Sequence, residues 1–76
     1  MNFYLIVYHR GTGAVEVREY PESERDRAAR ERFARELGER ENPDVEVVLL
    51  SSESLQTVKK THGRYFFMED YKARTA

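Results

Sequence analysis

An α+β fold of the order β-β-α-β-α-(β) is predicted by three observations. Residues 3–8 and 45–50 are strand-length runs that are apolar on both faces. A long, heavily charged helical stretch separates them, and a second, shorter helical segment opened by serines follows. A strand apolar on both faces belongs inside a sheet, so the first strand is expected between the other two. That gives a mainly antiparallel sheet of order 2-1-3. Right-handed crossovers are then expected to place both helices on one face, making a two-layer sandwich. The 76 residues suffice for one domain, expected over 1–68, with a charged and frayed tail over 69–76.

In the first strand, Phe3, Leu5 and Val7 alternate with Tyr4, Ile6 and Tyr8. Gly11 and Gly13 then supply a short hairpin loop. Gly11-Thr12-Gly13 has the glycine content of a phosphate loop, but it links two strands, lacks a following Lys-Ser/Thr and opens no helix. In the return strand, residues 14–20, Val15 and Val17 alternate with Glu16 and Arg18, the pattern of an edge strand. Pro21 ends it, and Ser23 with Asp26 has the spacing of a capping box. The helix that follows is expected to run to Glu41 and to stop at Asn42-Pro43, with Ala29, Phe33 and Leu37 as its inward stripe.

This first helix holds six arginines, and seven acidic residues over the same stretch cancel their field. After the strand over 45–50, Ser51 and Ser52 are candidate caps for a helix over 53–62. Its inward stripe is Leu55, Val58 and His62, and Gly63 fits a left-handed closing position. Residues 64–68 are a candidate fourth strand.

Composition narrows the function. There is no cysteine, so disulfides, thiolate metal sites and thiol catalysis are excluded, and the chain fits a reducing cytoplasm. No apolar run approaches the roughly 18 residues of a membrane span. His9 and His62 lack a third metal ligand at a recognisable spacing, and no glycine motif supports a nucleotide, so neither metal nor cofactor is expected. Ser51, Ser52 and Ser54 read as caps rather than nucleophiles. The expectation is therefore a non-enzymatic domain.

Two surfaces are candidates for its work. With both helices on one face, the other would leave an apolar row in water, either Tyr4, Ile6 and Tyr8 with Val48, or Phe3, Leu5 and Val7. A face that apolar calls for a second copy or a protein partner, which predicts a homodimer or protein-binding domain. The alternative lies at residues 59–67, where Lys59, Lys60 and Arg64 stand without an acidic neighbour beside His62, Tyr65, Phe66 and Phe67. Cations interleaved with aromatics are what single-stranded nucleic-acid binders use, with Lys59, Lys60 and Arg64 on phosphate and Tyr65 stacking on a base. Net charge supports neither reading: it is −1, with 36% of residues charged. The positive excess is confined to residues 59–76, which hold 5 basic and 2 acidic side chains.

Overall fold

The computed structural model describes residues 1–66 in full and, as backbone, one further strand at Tyr71–Thr75. The elements in chain order are β1 (Asn2–His9), β2 (Val15–Tyr20), α1 (Arg25–Glu39), β3 (Val45–Ser52), α2 (Leu55–Thr61) and β4 (Tyr71–Thr75). They form one sheet of order β3-β1-β2-β4. β1 pairs antiparallel with both β2 and β3, so that Ile6 stands opposite Val17 on one side and Val48 on the other. The 2-1-3 order is as expected, and its cause is the doubly apolar β1. β2 is not the edge, because the backbone of β4 pairs with it in parallel, Val15 opposite Tyr71. Within the expected tail of residues 69–76, residues 69, 70 and 76 lie outside the described residues, and 71–75 are β4.

The two helices lie on opposite faces of the sheet, which corrects the two-layer expectation. On one face Tyr4, Ile6, Val15 and Val17 pack with Val58 of α2 and with Tyr65 and Phe66. On the other, Leu5 and Tyr20 pack with Ala28 of α1, flanked by Phe3, Val47 and Leu49. Hydrophobic demand explains the split. α1 occupies one face, and the row Tyr4, Ile6, Val17 and Val48 on the other must still leave water. α2 starts three residues after β3 ends and turns under that row.

Residues 64–66 are not a strand. Gly63–Phe66 is a 3-10 turn, and residues 67 and 68 of the expected strand lie outside the described residues. Tyr65 and Phe66 are consecutive and both buried in one core. A strand cannot do this, since neighbouring side chains point to opposite faces. Gly63 accordingly opens that turn instead of closing α2 with a left-handed residue; among the glycines only Gly13 has positive φ, at 79°. α2 is capped by Ser54, whose hydroxyl accepts from Thr57 N–H at 3.1 Å. The capping box expected at Ser23 does not form, because Glu22–Glu24 is itself a 3-10 turn and α1 begins without a side-chain cap. The hairpin loop is tied to the α1–β3 loop by Asp44, whose carboxylate accepts from Gly11 N–H at 2.6 Å. A Cβ at position 11 would stand 2.9 Å from that same oxygen, so any larger residue there would push the Asp44 carboxylate aside.

Candidate association surface

The apolar sheet row expected to be open is closed. Tyr4 is 1% exposed and Ile6 0%, while Tyr8 and Val48 are half-buried against the same core. The Tyr8 ring meets the Tyr65 ring edge to face, 5.4 Å between centroids. α2 and the 3-10 turn supply this cover, so of the surface expected at Tyr4, Ile6, Tyr8 and Val48 the first two are interior and Tyr8 and Val48 lie at its margin.

The basic and aromatic segment is likewise used within the chain. Glu46, on the same side of the sheet, gathers it. Its carboxylate accepts from Arg64 Nη2 at 2.6 Å, from the Tyr65 hydroxyl at 2.5 Å and from Arg10 Nη2 at 3.1 Å. The Arg64 guanidinium also lies over the Tyr65 ring, 4.3 Å from its centroid. The hydrogen bond from Tyr65, with the arginines behind it, holds the Glu46 carboxyl below the ordinary carboxylate range. Burial pushes the Tyr65 hydroxyl up.

Tyr65 is 4% exposed and cannot offer its ring to a base, which corrects the stacking role expected of it. Lys59 sits 5.6 Å from the Phe66 ring centroid, and Lys60 is exposed in the last turn of α2. His62 does not continue the inward stripe. It is exposed just beyond α2, with Nδ1 2.8 Å from the Thr61 hydroxyl.

The surface that sequence reasoning missed is on α1. Its only fully buried residue is Ala28, and the row turned to the sheet is Glu24, Ala28, Glu31, Arg35 and Glu39. At 3.6 residues per turn, Ala29, Phe33 and Leu37 lie about 160° around the helix from that row. Phe33 is 60% exposed and Leu37 51%, and Ala29 is exposed beside them.

Charge pairing with β2 sets this rotation. Glu31 accepts from Arg18 Nη1 at 2.9 Å, from Arg27 Nε at 3.1 Å and from the Tyr20 hydroxyl. Arg35 reaches Glu16 at 3.3 Å. Two residues of strand span about 6.6 Å and four residues of helix about 6 Å, so Glu16 and Arg18 match Arg35 and Glu31 in spacing as well as in sign. That match is the sequence signal that could have found the orientation. The Tyr20 hydrogen bond, then Arg18 and Arg27, hold Glu31 below its ordinary range. The polar contact leaves a cleft of about 260 Å³ between helix and sheet, lined by Leu5, Val7, Glu16, Arg18, Glu31, Ala34 and Arg35.

No group of three or more His, Cys, Asp or Glu among the described residues could hold a metal ion. No helix among them is long and apolar enough to cross a membrane. No family model, curated protein or solved structure matches the chain.

Proposed function

We propose that this protein works by association rather than catalysis, as a homodimer joined through the outer face of α1, in the reducing cytoplasm that its lack of cysteine fits. The observation that carries the reading is the exposure of Phe33 and Leu37, the only large apolar side chains of a helix that turns its charges to the sheet. Full burial of a Phe or Leu side chain contributes about 1.5–3 kcal/mol, so each has a substantial part of that still to gain from a partner. The apolar sheet row first expected to serve this purpose is occupied by α2, and the same role falls to the helix on the other face.

Light scattering at micromolar concentration tests the proposal. A mass near twice 9.0 kDa is expected for the chain, and a monomer for Phe33→Asp. Because Phe33 is exposed, that variant should keep the monomer's thermal stability and change the mass alone. A wild-type chain that remains a monomer as concentration rises would remove the proposal.

A further inference from the structure

We infer that the second copy docks with its α1 antiparallel, the two-fold axis passing at Phe33; this deepens the association reading above and rests on it. Residues 25–41 read Arg-Asp-Arg-Ala-Ala-Arg-Glu-Arg-Phe-Ala-Arg-Glu-Leu-Gly-Glu-Arg-Glu, and the sign of charge inverts about Phe33. In an isologous antiparallel pair, the position n before the axis stands level with the position n after it on the other copy. On the exposed side of α1, Asp26 then stands level with Arg40, the C-cap of the helix, and Arg30 with Glu36. Arg27 with Glu39 and Glu31 with Arg35 obey the same inversion along the chain. No like-charged pair arises between residues 25 and 41. A parallel copy would set every charge level with itself.

The apolar positions agree with this register. Phe33 meets Phe33, and Leu37 stands level with Ala29, a large side chain against a small one. Asp26, Phe33 and Arg40 are spaced by seven residues, so they fall along one line of the helix and form the seam. The charged ends of the seam are then Asp26 against Arg40, twice by symmetry. Antiparallel packing also opposes the two helix dipoles, the positive end of each beside the negative end of the other.

The test reverses and then restores one pair. Asp26→Arg faces Arg40 of the other copy at both ends of the seam and should raise the dimer Kd about tenfold in sedimentation equilibrium, the sum of two modest ion pairs turned repulsive. Arg40→Asp should do the same. The double variant Asp26→Arg, Arg40→Asp should return to within about threefold of the starting value. Residues 26 and 40 lie about 21 Å apart along the helix, so no contact within one chain can produce that recovery. Circular dichroism checks that α1 persists in each variant.

Because the chain has no cysteine, a second measurement is clean. Ala29→Cys and Leu37→Cys chains, mixed and oxidised, should give chiefly the 29–37 disulfide. Predominant 29–29 and 37–37 products, or reversals that leave the Kd unchanged, would overturn the antiparallel register. The association reading would then still stand, provided Phe33→Asp breaks the dimer. A dimer untouched by Phe33→Asp uses another surface, such as the open edge of β3, and both readings fall together.

Discussion

On the α2 face of the sheet, Tyr4, Ile6, Val17 and Val58 are at most 1% exposed, and Tyr65 and Phe66 close the rim. On the α1 face, Ala28 is the one fully buried residue of the helix; it packs with Leu5 and Tyr20, flanked by Phe3, Val47 and Leu49, and beside it Arg18 pairs with Glu31 and Arg35 with Glu16. Both faces use a carboxylate that gathers arginine and a tyrosine hydroxyl, Glu46 on one and Glu31 on the other. At Glu46 the network sits at the margin of a packed core, whereas at Glu31 it ties α1 to β2 beside a thin apolar contact. Dry packing seals a surface and ends its availability. A polar contact fixes a helix while leaving that helix's own apolar side chains facing outward, and on this chain those side chains are Phe33 and Leu37.

The largest expected effect separates the two faces directly. Ile6→Ala removes a fully buried side chain and should cost about 2–5 kcal/mol in urea unfolding. Phe33→Ala, measured on the monomer at high dilution, should stay within about 0.5 kcal/mol. Equal losses would mean that Phe33 packs inward and that the contrast between the faces is false.

Next in size is the pair of carboxylate hubs. Glu46→Ala leaves the buried Tyr65 hydroxyl without its acceptor and should cost about 1–3 kcal/mol. Glu31→Ala removes the principal link between α1 and β2 and should in addition raise hydrogen exchange along α1 selectively. Exchange spread evenly over the fold would show that α1 is held by other contacts.

Acid sharpens the comparison further. Both Glu31 and Glu46 are held below their ordinary range. A carboxylate with a depressed folded-state pKa adds stability that is present above the unfolded value of about 4.3 and is lost as pH falls through the folded value. Stability should therefore fall below about pH 4.3. Glu31→Gln and Glu46→Gln should each flatten that acid limb while lowering stability at pH 7. An acid limb unchanged in both variants would place the linkage on other carboxylates.

The smallest effect belongs to the exposed ladder on α1. Arg32 and Glu36 pair at 3.2 Å with both side chains about half exposed. Arg32→Ala should cost about 0.3–0.5 kcal/mol, and less at high salt. A loss well above that would mean that the pair makes contacts beyond its own helix.

Local pattern carried much of the fold. The alternation in residues 3–8 and 45–50, the glycines after Tyr8 and the helical spacing from Arg25 onward place β1, β2, α1, β3 and α2 within a few residues of their observed bounds. The two apolar rows of β1 put it between β2 and β3. The charge inversion about Phe33 is also written in the sequence. Periodicity names the residues that share a helix face but not the direction in which that face points. The stripe Ala29, Phe33 and Leu37 is the more apolar one, and apolarity alone points it to the core.

The tertiary structure decided the opposite, because the orientation of α1 depends on contacts across the sheet. Glu16, Arg18 and Tyr20 point to the side that α1 covers, and Glu31 and Arg35 turn toward them. The side taken by α2 was settled in the same way, by the apolar row that α1 left uncovered. Each choice is made between residues distant in sequence: on the α1 side, partly exposed ion pairs and the buried Tyr20 hydroxyl are satisfied while two large side chains stay outside.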